Sequence, residues 1–338
     1  MAIRLGILGA GDWALANHLP ALALIRDQRL GPSDIELAAL CEADHSRAAR
    51  ALLDFSIGRR VATADELFGA IDVDALIIVV RATLVARFVE MAEQAGKPFF
   101  IEKPSAATAA EARTLAGKVT VPNVVGFNRR YFPVVDELRR ILLGLAGPRV
   151  IRASFLRHNR RDSEAYAANA GGGHFPFMTG TGIHMINLCE YLFGEITSCI
   201  GSRLRAQPQG VDGWSARFGF ADGSILEALF LPTSGTSIER IEVHTPDASI
   251  MARFGLYGEP DGAGNIEVHQ QGRVISSWVP TQDPPLVARG FVGEHLDLLS
   301  AVAEGRSPRS NIENAHSSLH WAERLEAELL ASHDFNFG

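Results

Sequence analysis

The first 126 residues alternate short apolar runs with stretches of helical periodicity, and this alternation limits the fold more than any other feature of the chain. The apolar runs have the length of strands and contain few polar residues, as expected for strands covered on both faces. One intervening stretch, residues 84–95, has apolar side chains at the i, i+3, i+4, i+7 spacing of a helix face. The alternation predicts strand–helix units arranged as a doubly wound parallel sheet. The predicted strands are residues 3–8, 35–40, 75–80, 98–101 and 123–127.

Beyond residue 127 the pattern changes to alternating strands with hairpin signals. Turn residues such as Ala221-Asp222-Gly223 and Gln271-Gly272 separate pairs of strand-like runs, which predicts antiparallel pairing. We therefore predict an α/β chain of two domains, residues 1–126 with the parallel sheet and residues 127–338 with an α+β architecture. Three helices are predicted in the second part, near residues 133–143, 290–303 and 313–330.

A glycine-rich turn follows the first predicted strand and opens a helix. Its sequence, Gly9-Ala10-Gly11-Asp12-Trp13-Ala14, matches the G-x-G-x-x-G/A pattern of dinucleotide-binding folds in the strand–turn–helix context that makes the pattern informative. In such a turn the first glycine allows the tight bend and the second lets the backbone approach a pyrophosphate. Free amides at the helix N-terminus favour phosphate binding. The alternative is a glycine turn of an unrelated α/β protein. The residues predicted to contact a dinucleotide here are Gly9, Ala10, Gly11, Asp12 and Trp13.

A carboxylate, Glu42, ends the second predicted strand, at the position from which an acid hydrogen-bonds the adenosine ribose. Such a carboxylate repels a 2′-phosphate, so NAD is favoured over NADP as the cofactor. Arg47, one turn into the next helix, keeps NADP open as an alternative, because an arginine there could bind that phosphate. Asp44 is the better candidate for capping that helix.

Charge and cysteine content exclude several classes of protein. Lys and Arg total 32 against 39 Asp and Glu, a net charge of −7 without a basic block, which disfavours a nucleic-acid partner. Cys41, Cys189 and Cys199 form no C-x-x-C pair, as in proteins of reducing compartments. No apolar run is long enough to span a bilayer and no signal peptide is recognisable, so we expect a cytoplasmic protein without a membrane partner. No metal-ligand spacing such as H-E-x-x-H occurs, and no metal site is predicted.

Several further motifs are similar to those of one enzyme family. Ile101-Glu102-Lys103-Pro104 ends a buried strand, Gly182-Ile183-His184 opens a helix, and Glu294-His295 lies in a closing helix. The others are residues 18–22, residues 126–130, the triple glycine at 171–173 and residues 305–308. Together these motifs resemble the glucose-fructose oxidoreductase and inositol dehydrogenase (Gfo/Idh/MocA) family. The resemblance implies a Rossmann domain, a second domain with a large, open, mostly antiparallel sheet, and homodimers or homotetramers built through that sheet.

The position of Lys103 in the sequence indicates a role in the site independently of the resemblance. Ligands bind at the carboxyl ends of strands in open α/β sheets, and consecutive residues there point to opposite sides. A lysine beside a nicotinamide is suited to exchange a proton with a hydroxyl or carbonyl group. The resemblance implies that Lys103 is catalytic, and both Glu102 and Lys103 are counted among the cofactor-binding residues. A solvated surface lysine is the alternative.

His184 is predicted in the first turn of an amphipathic helix, where the positive helix end should favour a neutral imidazole that can accept a proton. The resemblance implies a catalytic acid/base or substrate-orienting role, and a structural histidine is the alternative. Family dehydrogenases typically have an aspartate four residues before this histidine and another acid three residues after it. Gly180 and Asn187 occupy those positions here, so the catalytic group is incomplete and Asn187 is assigned to substrate binding.

Several cations lie near the predicted site. Arg81 follows the predicted strand at residues 75–80, where the resemblance places the nicotinamide ribose, and is counted as cofactor-binding. Arg129 follows the domain junction and is preferred to Tyr131 for substrate contact. Residues 157–161 are rich in basic groups, which either bind an anionic substrate group or form an ordinary solvated turn. His158, within that run, is assigned to substrate binding.

These observations predict an NAD(P)-dependent oxidoreductase that moves a hydride between nicotinamide and a carbinol carbon of a sugar, cyclitol or related polyol. Lys103 and His184 would handle the hydroxyl proton. The alternative is a catalytically impaired, dinucleotide-binding sensor of the same fold, and Gly180 is the residue that favours it.

Overall fold

A computed structural model of the chain describes residues 2–158, 177–205, 212–255, 264–281 and 283–331. Contacts divide the chain into two compact units. The first unit comprises Met1–Tyr131 and Arg289–Leu319, and the second comprises Phe132–Ala288 and His320–Gly338. The domain boundary between residues 126 and 127 stays a prediction, because a unit defined by contacts need not coincide with a domain. The structure adds that the segment Arg289–Leu319 packs with the first unit.

The sheet of the first unit consists of β1 (Ile3–Leu8), β2 (Ile35–Cys41), β3 (Arg59–Val61), β4 (Ala75–Ile78), β5 (Phe99–Ile101) and β6 (Asn123–Val125). All its strand pairs are parallel. The strand order is β3-β2-β1-β4-β5-β6, which reverses direction at β1 as in doubly wound dinucleotide-binding folds. The central strands are almost entirely buried, in agreement with their apolar sequences. The predicted parallel sheet is confirmed.

Helices alternate with these strands. A π-helical turn at Ala14–His18 leads into α1 (Leu19–Gln28). The side chains of Asp44, Thr63 and Thr108 each cap a later helix by accepting a hydrogen bond from the backbone N–H three residues further on. The capping role predicted for Asp44 is therefore confirmed. The helices capped in this way are α2 (His45–Asp54), α3 (Ala64–Gly69) and α5 (Ala109–Ala116), and α4 (Ala82–Gln94) follows β4 without a side-chain cap.

The second unit contains an eight-stranded sheet in the order β14-β13-β12-β11-β7-β10-β9-β8. Its strands are β7 (Val150–Leu156), β8 (Ile196–Arg205), β9 (Asp212–Phe220), β10 (Ile225–Leu231), β11 (Ile238–His244), β12 (Ser249–Arg253), β13 (Asn265–Gln270) and β14 (Arg273–Trp278). Only the β7–β10 pair is parallel among the described strands of this sheet. The predicted large, mostly antiparallel sheet is confirmed, and so are the hairpins β9–β10 and β13–β14.

The described residues of this unit include the helices α6 (Pro133–Leu142), α7 (Ile183–Phe193) and α8 (Pro285–Ala288). A π-helical turn at Met178–Gly182 precedes α7. At one end of α7 the backbone of Gly182 packs against the ring of Phe230, and at the other end the Phe193 ring contacts the edge of Phe220 at 5.8 Å. Helix α7 therefore covers one face of the sheet at β9 and β10.

The chain closes with α9 (Phe291–Glu304) and α10 (Ile312–Ala331). The segment between them lies along the edge strand β6. The Val125 N–H donates to the Ser310 carbonyl and the Ser310 hydroxyl donates to the Val125 carbonyl, both at 2.8 Å. The Ile312 N–H donates to the Asn123 side chain, also at 2.8 Å. These bonds cover the edge of the parallel sheet, which would otherwise expose unpaired backbone groups.

Several details differ from the expectations, among them the end of β6 at Val125 rather than residue 127. Strand β3 and helix α3 were not predicted, because Arg59-Arg60-Val61 has no apolar run and α3 is only 6 residues long. Strand β4 ends at Ile78 rather than residue 80, since the chain turns there towards α4. Among the described residues, no helix combines the length and apolar character needed to cross a membrane.

Candidate active site

The candidate site in the first unit lies at the carboxyl edge of the parallel sheet. Strand β1 stands between β2 and β4, where the strand order reverses and where doubly wound sheets bind ligands. The Gly9 N–H donates to the Cys41 carbonyl at 2.9 Å, and the Val79 N–H donates to the Leu8 carbonyl at 2.9 Å. The ends of β1, β2 and β4 are therefore bonded together around the glycine-rich turn.

The two glycines of this turn have different roles. Gly9 has φ +92°, and a Cβ there would lie 2.3 Å from the Val79 carbonyl oxygen, so no other residue fits without moving β4. A Cβ on Gly11 would meet nothing within 4 Å, so this glycine is not required by the packing of the chain itself. It instead leaves the backbone accessible in front of the helix that starts at Asp12. The first amides of a helix lack partners within it, and this arrangement fits the pyrophosphate of a dinucleotide.

Glu42, directly after β2, is buried and holds the same turn. One carboxylate oxygen accepts the Ala10 N–H at 2.7 Å, and the other accepts the Asp44 N–H at 2.8 Å. The Arg47 guanidinium lies 3.1 Å from the second oxygen. Burial alone would raise the pKa of Glu42, but the two backbone hydrogen bonds and the Arg47 contact together lower it. Glu42 is therefore an anionic side chain, as predicted. The Ala10 N–H, which was predicted to contact a dinucleotide, donates its hydrogen bond to Glu42.

Glu102, directly after β5, has three hydrogen-bonding neighbours. The Trp13 indole donates to Oε1 at 2.9 Å, His18 Nε2 lies 2.8 Å from the same oxygen, and the Lys103 N–H donates to Oε2 at 2.9 Å. Burial opposes ionisation, yet the His18 hydrogen bond, the charges of His18 and Lys103, and the Trp13 hydrogen bond lower the pKa of Glu102 overall. These contacts support a positioning role, and direct cofactor contact from Glu102 or Trp13 stays a prediction.

Lys103 is half-buried at the end of β5, whereas Glu102 before it is buried. This difference agrees with the expectation that the two side chains point to opposite sides. The bond between Lys103 and Pro104 is cis. The hydrogen bond from the Lys103 N–H to Glu102 fixes the backbone of the lysine at the sheet edge.

The predicted arginines of this unit differ in exposure. Arg81 is exposed at the N-terminal end of α4. Arg129 is half-buried, and its guanidinium donates to the Asn128 side chain at 3.2 Å. Arg130 is buried and donates to the Arg309 carbonyl at 2.8 Å, while the Tyr131 hydroxyl donates to Asp297 at 2.9 Å. The preference for Arg129 over Tyr131 as a ligand contact stays a prediction, and Arg130 and Tyr131 have structural partners.

A buried polar cluster in the first unit was not predicted. His18 Nδ1 lies 3.1 Å from His295 Nε2 and 3.6 Å from Glu294 Oε1. Burial, reinforced by the charge of Glu102, raises the pKa of Glu294 well above its usual range. Burial and the nearby His18 lower the pKa of His295. His18 and His295 are 277 residues apart in the chain, so no sequence spacing could have indicated the cluster.

The second unit carries the other proposed catalytic residue, His184, in α7. His184 and Asn187 are both buried and lie one turn apart on the same side of the helix. His184 is the second residue of α7 and lies in its first turn, as expected, but the π-helical turn Met178–Gly182 extends the helical segment before it. The influence of the helix end falls off within one turn and is therefore weaker at His184 than expected.

Glu326 in α10 caps this helical turn and was missed by the sequence reasoning. Its Oε2 oxygen accepts the N–H groups of Met178 at 3.1 Å and Thr179 at 3.3 Å. Burial raises the pKa of Glu326 to about 7, against the opposing effect of the backbone hydrogen bonds. The helix that holds His184 thus begins on a carboxyl group that titrates near neutral pH.

The basic run that begins at Arg157 is only partly described. Arg157 pairs with the buried Glu239 and lies over the Phe155 ring at 4.0 Å from its centroid. Arg157 is therefore engaged within the second unit rather than available to an anionic substrate group. His158 is exposed, and its ring lies 3.2 Å from the Ser234 carbonyl. Residues 159–161 and the triple glycine at 171–173 lie outside the described residues.

The sequence of this chain is similar to those of known oxidoreductases. A model of the Gfo/Idh/MocA oxidoreductase family, with an NAD-binding Rossmann fold, matches residues 3–124. An inositol 2-dehydrogenase of Saccharopolyspora erythraea is 31% identical over 305 residues, which cover 86% of this chain and 80% of that protein. The chain belongs to the Gfo/Idh/MocA family. Membership confirms the resemblance and makes the chain an NAD(P)-dependent oxidoreductase.

Other relatives are similar over shorter stretches. A D-apiose dehydrogenase of Paraburkholderia graminis is 29% identical over 216 residues, which cover 61% of this chain and 54% of that protein. An inositol 2-dehydrogenase of Rhizobium meliloti is 30% identical over 201 residues, 58% of this chain and 56% of that protein. The chain therefore aligns with little more than half the length of these two relatives.

Solved structures agree in fold. A levoglucosan dehydrogenase in complex with NADH and L-sorbose superposes with a TM-score of 0.81 over 98% of both chains, at 18% identity. A UDP-N-acetylglucosamine 3-dehydrogenase from Acidithiobacillus ferrooxidans gives a TM-score of 0.78 at 20% identity over 98% of this chain and 99% of that chain. At these identities the likeness shows the fold alone.

Proposed function

We propose that this protein is an NAD-dependent dehydrogenase of a sugar, cyclitol or related polyol, with Lys103 and His184 as its proton-handling residues. The observation that carries the proposal is Lys103 itself: a half-buried lysine at the carboxyl edge of a dinucleotide-binding sheet, anchored by Glu102. Nicotinamide would supply or accept the hydride, which the protein side chains cannot do.

The chain's own residues then have separate tasks. The backbone around Gly11 and the helix start at Asp12 would bind the pyrophosphate, and Glu42 would accept hydrogen bonds from the adenosine ribose. The Lys103 ammonium would donate a hydrogen bond to the substrate oxygen at the reacting carbon. His184 would accept the hydroxyl proton during oxidation and return it during reduction. Asn187, Arg129 and His158 are proposed to orient the substrate, and Arg81 to contact the cofactor.

The preference for NAD over NADP rests on the charge of Glu42. Its carboxylate is kept ionised by two backbone N–H groups and by Arg47, so a 2′-phosphate beside it would be repelled. Arg47 is already paired with Glu42, which reduces its capacity to bind that phosphate. Both contacts support NAD as the cofactor.

The substrate class is supported by the named activities of the relatives. The two inositol 2-dehydrogenases and the D-apiose dehydrogenase all act, by name, on polyhydroxylated carbon compounds. Glu239 already neutralises Arg157, so that residue gives no support to an acidic substrate. We therefore propose a neutral polyol or sugar rather than a sugar acid.

A homodimer or homotetramer built through the second sheet is also proposed. The outer face of that sheet carries two apolar side chains that pair across β7 and β10. They are Val150 at 53% and Ile225 at 42% exposure. The residues are next to polar partners such as Arg152 and Glu227, a mixture typical of subunit interfaces. Val150→Glu should reduce the mass measured by light scattering to that of a monomer, and an unchanged mass would place the interface elsewhere. The predicted cytoplasmic location is retained, and the free thiols of Cys41, Cys189 and Cys199 support it.

The proposed activity is tested with a panel of inositols, neutral sugars and sugar acids, by following the near-ultraviolet absorbance of NADH. We expect turnover with at least one neutral polyol, abolished by His184→Ala and retained in His320→Ala, a variant of an exposed histidine. Tight NADH binding without turnover of any member, together with a ligand whose affinity depends on NADH, would support the sensor instead.

A further inference from the structure

The buried cluster of His18, Glu294 and His295 has the dimensions of a metal site. One ligand atom from each residue can be chosen so that all three lie within 4.8 Å of one another. His18 Nδ1 is 3.1 Å from His295 Nε2 and 3.6 Å from Glu294 Oε1. Ligand atoms bound at about 2.0–2.2 Å to one zinc ion are separated by roughly 3–4 Å, so both distances from His18 Nδ1 fit a single ion.

The Glu294 carboxyl group gives a second, independent indication. Its side chain is fully buried, and neither of its oxygens has a hydrogen-bond partner among the described residues. A buried carboxylate without donors is strongly unfavourable unless a cation or a proton neutralises it. The aromatic rings of Phe100 and Phe291 lie beside His18, at 5.0 and 5.6 Å between ring centroids, and exclude water from that side.

Glu102 prepares His18 as a ligand. Its carboxylate lies 2.8 Å from His18 Nε2, which fixes the ring proton on that nitrogen and leaves the Nδ1 lone pair directed at His295 and Glu294. A carboxylate that accepts the outer N–H of a metal-bound histidine is the usual outer contact of protein metal sites. The same carboxylate is bonded to Trp13 and to the Lys103 backbone.

The number of donor atoms agrees with a divalent ion. With both Glu294 oxygens available, two imidazole nitrogens and a bidentate carboxylate supply four donor atoms. Imidazole and carboxylate ligands suit zinc and neighbouring first-row divalent ions.

We propose that His18 Nδ1, His295 Nε2 and Glu294 form a binding site for one divalent transition-metal ion of the zinc class. The site is structural. It joins the helical turn that ends at His18 to α9, and through Glu102 it fixes the end of β5 from which Lys103 projects. This assignment departs from the expectation, based on sequence spacing, that the chain has no metal site.

The test uses the full-length protein, purified without a metal-affinity tag. The protein is dialysed against Zn²⁺ and then against metal-free buffer, and its metal content is measured by mass spectrometry. We expect roughly one zinc ion per chain, as for structural zinc sites. Glu294→Gln, which keeps the side-chain shape, and His295→Leu should retain less than about one tenth of that amount. The control His320→Ala changes an exposed histidine on α10 and should retain the wild-type amount.

Two further measurements guard against misfolded variants and surface binding. Chelation should lower the Tm of the wild type and leave that of Glu294→Gln unchanged, since ligand binding stabilises only the folded state that binds it. Co²⁺ substitution should give the visible absorption of a four-coordinate site in the wild type and in His320→Ala. A wild-type protein that retains no zinc, and whose Tm responds neither to Zn²⁺ nor to chelation, would show that protons neutralise the cluster. Equal zinc retention by the wild type and Glu294→Gln would likewise overturn the proposal.

Discussion

The indole Nε1 of Trp13 donates a 2.9 Å hydrogen bond to Oε1 of Glu102, and this bond joins the helix after the glycine-rich turn to the end of β5. The other carboxylate oxygen of Glu102 accepts the Lys103 N–H. The proposed phosphate-binding turn and the proposed catalytic lysine therefore share one carboxylate. A shift of the turn on dinucleotide binding would be transmitted to the backbone of Lys103 through Glu102.

Trp13→Phe tests this connection. The substitution removes the hydrogen bond to Glu102 and keeps an aromatic ring beside Phe291, whose centroid is 5.9 Å away. We expect the free energy of unfolding to fall by about 1 kcal/mol, the usual net contribution of one hydrogen bond, somewhat more where the acceptor is charged. Denaturant unfolding measures the change, with Trp278→Phe in the second unit as the control. Equal stability of Trp13→Phe and the wild type would show that the bond contributes nothing.

Glu42→Gln tests the choice of cofactor. The variant keeps an oxygen that can accept the Ala10 N–H but removes the negative charge. The wild type should bind NADH at least about tenfold more tightly than NADPH, and the variant should narrow that ratio. Calorimetry gives both dissociation constants. The assignment of Glu42 as the discriminating residue fails if the wild type prefers NADPH, and Arg47→Ala would then identify the arginine responsible.

Lys103→Met tests the proposed proton-handling role. The fold and the affinity for NADH should be largely retained, while turnover of a verified substrate should fall by about 100-fold or more, the scale of a lost general acid or base. Lys118→Met is a matched control, because Lys118 is exposed and pairs only weakly with Glu90 at 3.5 Å. Turnover of Lys103→Met within a few-fold of the control would leave Lys103 without a catalytic role.

Glu326→Gln tests the carboxyl group that caps the turn before α7. The pKa of Glu326 is about 7 in the folded protein and 4.5 as the ordinary reference, so the folded state retains this proton while the unfolded state loses it. The proton retained by Glu326 therefore adds up to about 3 kcal/mol to the free energy of unfolding. This stabilisation is present in full below pH about 4.5 and is lost as the pH rises through about 7. The Tm of the wild type should therefore fall relative to that of Glu326→Gln between pH 5 and 8, a range set by those pKa values. Parallel pH profiles of Tm for the two proteins would contradict the raised pKa.

The sequence predicts best those parts of the structure that depend on local patterns. The glycine-rich turn, the acid after β2 and the cap at Asp44 each depend on a few consecutive residues, and the structure has them as expected. Burial of Glu102 beside a more exposed Lys103 also follows from the alternation of residues along a strand end.

Contacts between distant residues could not be predicted in this way. Glu326 meets Met178 across 148 residues and Arg157 meets Glu239 across 82, and neither pair has a spacing signal in the chain. The helical turn Met178–Gly182 before His184 was not predicted, because it contains two glycines and two β-branched threonines, residues of low helix propensity that nevertheless form a π-helical turn. The hydrogen bonds from the Met178 and Thr179 N–H groups to Glu326 stabilise this turn despite the low helix propensity of its residues.

The hydrogen bonds between β6 and the segment that precedes α10 have a consequence for the order in which the protein can fold during synthesis. Strand β6 leaves the ribosome almost 190 residues before its partner Ile312, since Asn123 and Ile312 are 189 residues apart. Until that partner arrives, the nascent first unit has an uncovered strand edge and lacks α9, which carries the side chains that enclose His18. A prematurely terminated chain that ends near residue 131 would therefore be an incomplete Rossmann unit, prone to edge-to-edge aggregation and dependent on chaperones.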